Sequence, residues 1–305
     1  MTTLRANFGD LLTPGFRKIF DDNFKEVPST MEKLFHVNTS DKDTEKDSAV
    51  TGFGYPVLTP EGGNTDYEDP IQMYDVTYTH VKYTKGFKVS REMWEDDLYN
   101  IIKKKPAALG RSFRRWQERS AALIFNRAFN SSYLGGDSQE LISTVHPRAD
   151  GGTAQSNASA TGITLTEANL ETAINAMRDQ RDDKGMFIDV MPDTLLVPIQ
   201  LRKTARLITE SPYRQGTADN DSNIYKGEFK VIDWLFMDGS ATQWFLIDSS
   251  QHELNWFWRV KPEFKQDDSF DTDMALYKAR ARWSNGWSDW RGFWGSRGDG
   301  AAYAG

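Results

Sequence analysis

IQMYDVTYTHVKYTKGFKV, residues 71–89, alternates through its second half. Val81, Tyr83, Phe87 and Val89 fall on one face and Lys82, Thr84 and Lys88 on the other, the pattern of a strand with one buried side. Upstream, TGFGYPVL (51–58) leads into PEGGNTDYEDP (60–70), which is dense in turn formers. Residues 51–89 therefore read as a long β-hairpin whose tip is too polar for a core and projects. Gly52, Gly54, Gly62 and Gly63 fit hairpin geometry better than a phosphate loop.

On either side of this stretch the period changes. Residues 90–130 read as a long helix, capped by Ser90 and opened by Trp94, Leu98 and Ile101. Pro106 removes a backbone donor and should kink or interrupt it. Leu109, Phe113, Trp116, Leu123 and Ile124 form an apolar stripe, and Arg111, Arg114, Arg115, Gln117 and Glu118 form the opposite face. That basic cluster reads as a salt-bridged subunit surface in preference to a nucleic-acid contact. Residues 1–50 read as a polar, irregular lead with one short amphipathic helix through Phe16, Ile19, Phe20 and Phe24. DKDTEKD (41–47) within it reads as a solvated turn.

Residues 131–165 are rich in Gly, Ser, Thr and Asn and read as loop. Residues 166–260 read as an α/β unit. Thr166 caps a helix with Leu170, Ile174 and Met177 inward, and DTLLVP is a buried strand. Pro198 opens a further helix with Leu201, Ala205 and Ile208 inward. EFKVIDWLF, TQWFLID and LNWFWRV are strands. A final β segment spans 271–294, with Asn285-Gly286 as a tight hairpin turn, and the tail should be flexible.

Composition removes several functional classes. The 305 residues include no cysteine, which excludes disulfides, thiolate metal sites and thiol nucleophiles. A net charge of -7 disfavours a DNA-gripping module, since phosphate neutralisation by Lys and Arg supplies most of such affinity. No stretch has the roughly 20 apolar residues of a membrane span. The start lacks a signal-peptide pattern, so synthesis and retention in a cytoplasm are expected.

Nothing in the motifs points to catalysis, and no catalytic, cofactor or metal residue is assigned. His36, His80, His146 and His252 do not pair at metal-binding spacing. Glu95, Asp96 and Asp97, like Asp267 and Asp268, are consecutive and point in different directions, whereas acid–base work needs carboxylates across a cleft. Trp283, Trp287, Trp290 and Trp294 read as core or interface rather than a sugar platform.

Ordered segments along nearly the whole chain resemble the major capsid proteins of tailed phages, in particular the Mu-like major head subunit family. They are TLRANFGDLLTPGFRKIF (3–20), VTGFGYPVLTPEGG (50–63), DPIQMYDVTYTHVKYTKGFKVSREMWEDDLY (69–99), LIFNRAF (123–129) and STVHP (143–147). DTLLVPIQLRKTARLI (193–208), GTADNDSN (216–223) and the run from Phe257 to Ser296 complete the set. The resemblance implies an α+β chain with the Hong Kong 97 capsid fold. Residues 1–50 would be an N-terminal arm and 51–89 the extended loop lying over a neighbouring subunit. Residues 90–165 would be the peripheral domain with its spine helix, 166–260 the axial domain, and 261–305 the return strands and tail.

What the resemblance implies for function is assembly, with no enzyme activity. The chain would form pentamers and hexamers of itself in an icosahedral virion shell around double-stranded DNA, built in the host cytoplasm. A separate scaffolding protein and a portal are expected partners, and a decoration protein is a further candidate. Phe53, Tyr55, Tyr67 and Tyr74 are the candidate interface residues on the loop, alongside Arg111, Arg114 and Arg115 on the helix. Some relatives crosslink a loop Lys to a neighbour, but Thr51–Val81 contains no Lys, so a non-covalent shell is expected. The rival readings are an encapsulin-type nanocompartment and a Trp-rich carbohydrate-binding or tail-associated protein.

Overall fold

A computed structural model describes residues 6–70, 72–90, 92–93, 101–148, 150–214, 221–269 and 274–303. The expected helix start at Trp94 and Leu98, the acidic run 95–97 and most of the 216–223 loop lie outside them. The chain divides into two compact units. The first gathers residues 1–45, 78–121 and 256–285; the second gathers 46–77, 122–255 and 286–305.

The first unit opens with helix α1 (Ala6–Glu26), the short α2 (Met31–Leu34) and strand β1 (His36–Thr39). The expected irregular lead is thus largely ordered, because Phe16 and Phe20 are buried and hold α1 down. Strands β4 (Val81–Ser90), β8 (Leu254–Ser269) and β9 (Met274–Trp287) join β1 in a sheet of order β1-β8-β9-β4. β4 and β9 run antiparallel, with Val81 opposite Trp283 and Val89 opposite Ala275. The alternation read in residues 81–89 holds for Tyr83, Phe87 and Val89, while Val81 at the start of the strand is exposed.

Helix α3 (Ile101–Asn126) packs against α1 in this unit. The helices meet at Gly110, where a Cβ would stand 2.5 Å from the Phe20 carbonyl oxygen. Phe20 contacts Phe113 at 6.0 Å and Phe264 at 5.6 Å, so one ring joins both helices to the sheet. A second aromatic layer forms where Trp283 stacks on Tyr83 at 4.2 Å and meets Trp256 and Trp258, each at 5.5 Å. Pro106 sits inside α3 without ending it: the missing N–H costs one hydrogen bond, and packing on α1 outweighs that loss.

Three expectations for this unit are corrected. Arg114, Gln117 and Glu118 are buried, while Trp116 is 38% exposed. The helix is covered on its polar side too, by residues 27–32, whose backbone meets Arg114 and Glu118. Asn285-Gly286 is no turn: both residues lie within β9, and Asn285 Nδ2 donates to the Ser120 carbonyl on α3. LNWFWRV starts β8 and belongs with this sheet, because its Trp256 and Trp258 are needed in the aromatic layer.

The second unit contains a sheet of order β10-β7-β5-β6. β5 (Thr194–Pro198) and β7 (Trp244–Ile247) are wholly buried, as an unbroken apolar run requires. β6 (Lys230–Trp234) lies parallel to β5, and β10 (Phe293–Ser296) antiparallel to β7. Helix α4 (Glu167–Arg178) begins where Thr166 Oγ1 accepts the Asn169 N–H at 3.2 Å. Its Leu170, Ala173 and Met177 join Leu195, Val197, Trp244 and Trp294 in one core. α5 (Arg202–Thr209) follows β5 through a short 3₁₀ turn that begins just after Pro198 and adds Ala205 to that core.

The hairpin is also redrawn. β3 (Gln72–Thr79) pairs with β2 (Thr44–Val50), not with 51–58. Two glycines and Pro56 make 51–58 a poor ladder partner, whereas TEKDSAV supplies a donor at every position. Residues 51–70 join the two arms without regular pairing.

Candidate assembly surfaces

The 51–70 segment exposes an unusual set of apolar side chains. Phe53, Tyr55 and Val57 are exposed, Tyr67 is 90% exposed and Leu58 97%. Val57 and Leu58 were not singled out from the sequence, although their position between Pro56 and Pro60 was a readable signal that they sit in a turn. The segment has its own fastenings. Gly63 N–H donates to the Pro60 carbonyl at 2.9 Å, with Gly62 at a φ of +79° that favours glycine. Glu68 accepts the Gly54 N–H at 2.6 Å and pairs with Lys184. The Lys184 ammonium, followed by that N–H, holds the Glu68 carboxyl below its ordinary range.

Tyr74 differs from the other three loop candidates. It is half-buried at the loop end of the β2–β3 ribbon, and its hydroxyl donates to the Pro147 carbonyl at 3.0 Å. Burial, aided by nearby Asp183, pushes its phenol pKa up. A Cβ on Gly136 would come within 2.9 Å of Tyr74 Cβ, so glycine there admits the ring. Tyr74 anchors the ribbon within its own unit.

The three arginines also separate. Arg114 is buried: its Nε donates to the Val27 carbonyl at 3.1 Å, its Nη1 to Glu32 and Gln117 at 3.0 Å each, and it lies over the Phe24 ring. Arg111, half-buried, donates to Asn23 Oδ1 at 2.7 Å. Arg115 is exposed. The expected outward basic cluster therefore does not exist as a group. Helical spacing placed the three together, and the covering segment turned one of them inward.

A buried polar network lies in the 131–165 region. His146 Nδ1 is 2.6 Å from Asp137 Oδ2, and its Nε2 is 3.1 Å from Asn157 Oδ1. Asn157 is oriented by accepting the Ser143 N–H and donating to the Leu141 carbonyl, both at 2.8 Å. Trp290 stacks on His146 at 4.2 Å, and Arg291 lies over Trp290. An Asp–His pair is two-thirds of a hydrolytic triad. Here the second ring nitrogen meets an amide instead of a nucleophile, and the histidine is fully buried. The network fixes the long segment onto its unit. Among the described residues, no three His, Asp or Glu side chains are grouped to hold a metal ion.

The tryptophans settle the sugar-platform reading. Trp283, Trp290 and Trp294 are almost completely buried, and Trp287 is half-buried beside Gly135. Rings enclosed in cores cannot present flat faces to a ligand.

Comparisons agree with this picture. Residues 74–295, well over half the chain, match the phage capsid protein family. No curated protein sequence matches. Among solved structures, one from Microbacterium phage Oxtober96 superposes with a TM-score of 0.59 at 11% identity, over 88% of this chain and 91% of that one. The bacteriophage JBD30 capsid gives 0.59 at 16%, over 70% and 92%. The capsid of a native GTA particle gives 0.57 at 13%, over 88% and 89%. At such identities the shared property is the Hong Kong 97-like fold. The family match over residues 74–295 is what carries the identity: the chain belongs to the phage capsid protein family and is a major capsid protein.

Proposed function

We propose that this chain is the head subunit of a Mu-like tailed phage, assembling in the host cytoplasm as pentamers and hexamers of one sequence. Heterologous contacts between identical subunits close into rings when the rotation allows. The 51–70 loop of each subunit lies on a neighbour and buries Phe53, Tyr55, Leu58 and Tyr67 there. The observation that carries this reading is the exposure of those side chains on a segment fastened within its own unit. Large apolar patches left on a soluble subunit mark interaction surfaces. A scaffolding protein, a portal and packaged double-stranded DNA are the remaining partners. The DNA is held without sequence recognition by a subunit whose net charge is -7.

Electron microscopy of the purified chain, alone and with its scaffolding partner, tests the reading. Shells, tubes or five- and six-membered rings are expected. A subunit that stays monomeric under all salt and crowding conditions overturns it.

A further inference from the structure

His146 meets an acceptor at each ring nitrogen, and a neutral imidazole has a proton for only one of them. At Nε2 the partner is Asn157 Oδ1, 3.1 Å away. That amide has one orientation: Oδ1 accepts the Ser143 N–H and Nδ2 donates to the Leu141 carbonyl, both at 2.8 Å. Reversed, it would set donor against donor and oxygen against oxygen. At Nδ1 the partner is Asp137 Oδ2 at 2.6 Å, while Asp137 Oδ1 accepts the Gln139 N–H at 3.1 Å. Two bare lone pairs would repel at 2.6 Å, so this contact encloses a proton too. It makes an imidazolium beside a carboxylate, or an imidazole beside a carboxylic acid. Both forms hold two protons on the pair, where a neutral histidine and an ionised aspartate hold one.

The surroundings suit the extra charge. His146 is fully buried, so both contacts must be met by protein groups. Trp290 stacks on the ring at 4.2 Å, and an indole face favours a cation. Arg291, over the same indole, is already paired with buried Asp183 at 3.2 Å and with Asp289 at 3.1 Å. Three carboxylates, Asp137, Asp183 and Asp289, thus face one guanidinium around Tyr74. Arg148, two residues beyond His146, is taken by Asp150. The other buried histidines differ. His80 meets two serine hydroxyls, which donate or accept as needed, and His252 Nδ1 accepts the Leu254 N–H. Neither contact requires a second proton.

We propose that His146 and Asp137 form a proton-locked clasp: the folded subunit holds between Nδ1 and Oδ2 a proton that the unfolded chain lacks above neutral pH. The clasp ties this pair to Asn157 and Trp290, and the Pro147 carbonyl, next in the chain, accepts the Tyr74 hydroxyl. Losing the proton leaves one nitrogen with its lone pair against an acceptor. The 137–157 stretch then loosens, and with it the footing of Tyr74 and the ribbon. The clasp works on the alkaline side. Its contribution is complete below the ordinary histidine value of about 6.5 and is lost as the pH rises and the folded pair gives up its proton. His80 acts below that value and with the opposite sign. The phenols of Tyr74, Tyr83, Tyr225 and Tyr303 are pushed above their ordinary value of about 10, so they act at higher pH still.

The test uses the full-length subunit. In urea unfolding between about pH 7 and 9, the folding constant should fall about tenfold per pH unit, the slope of one proton released on unfolding. Asp137→Asn offers Nδ1 an amide donor, so a ring with a proton on Nε2 alone suffices, and the slope should vanish. Tyr74→Phe leaves the pair intact and should keep it. Amide exchange over 137–157 should accelerate with pH more steeply in the wild type than in Asp137→Asn. A flat wild type, a slope that survives in Asp137→Asn, or equal exchange in the two overturns the proposal. If Asp137→Asn does not fold, wild-type unfolding heats in phosphate and in Tris buffer decide. Their difference should correspond to about one proton released per chain, and a difference corresponding to none overturns the clasp.

Discussion

The buried carboxylate of Glu118 accepts the backbone N–H of Met31 at 3.2 Å, and so α3 caps the first turn of α2. The same carboxylate accepts from Thr30 N–H at 3.1 Å and Ser29 Oγ at 2.7 Å. One acid on the long helix thus fixes the chain between α1 and the first strand. Glu118→Ala leaves three donors without their acceptor and should cost about 3 kcal/mol. Glu118→Gln, which keeps one acceptor oxygen, should cost less. Thermal melts of the unassembled subunit compare the two.

Leu58 should matter to assembly and not to folding. At 97% exposure it contributes nothing to its own core, while burying it on a neighbour supplies about 2 kcal/mol per contact. Leu58→Asp should leave the melting temperature unchanged and weaken the contact about thirtyfold. Light scattering during assembly, against a circular dichroism melt, separates the two effects.

Gly86 should be intolerant of any side chain. A Cβ there would stand 2.4 Å from the Tyr277 carbonyl oxygen in the facing strand. Gly86→Ala must push β4 from β9, at a cost of about 2–4 kcal/mol. Urea unfolding of the subunit measures it.

His80 should give the subunit an acid-side instability. Its Nε2 is 3.0 Å from Ser40 Oγ and its Nδ1 2.9 Å from Ser284 Oγ. Burial, then the Arg282 guanidinium, lowers its pKa, with Glu45 opposing, Arg259 lowering it further and Asp43 raising it. The folded state therefore holds the neutral ring, and the unfolded chain takes up the proton first. The contribution is complete above the ordinary value of about 6.5 and is lost as the pH falls through the lowered folded value. His80→Gln should flatten the fall in melting temperature over that window.

Assembled shells should contain no covalent link through the loop, since Thr51–Val81 offers no amine. Boiled in detergent, they should run at 34.8 kDa. A ladder of multiples, or an isopeptide found by mass spectrometry, would refute this.

Much of the fold could be read from local pattern. The alternation at Tyr83–Val89, the cap at Thr166, the buried run TLLVP and the helical stripe at Leu109 and Phe113 all appear where periodicity put them. The misread features share one cause. Arg114 and Glu118 look solvated on a helical wheel, and only the segment 27–32 laid over them supplies partners. Asn285-Gly286 has the composition of a turn, yet Ser120 on α3 takes the asparagine amide and the strand continues. Of the candidate surface residues, Phe53, Tyr55 and Tyr67 stand out in solvent, while Tyr74 is tied to Pro147.

By itself the sequence determined the helices with an apolar stripe and the buried strands, because those choices depend on neighbours two to four positions away; it did not give β2, whose Thr44–Asp47 read as a solvated turn. It also determined that no thiol chemistry is available, and that the loop carries carboxylates without a balancing cation. Tertiary structure alone decided that β2, not 51–58, pairs with β3, that β4 joins β9, and that Lys82 comes to face Arg282. Strand pairing depends on competition among distant segments for buried surface, and no local period records its outcome.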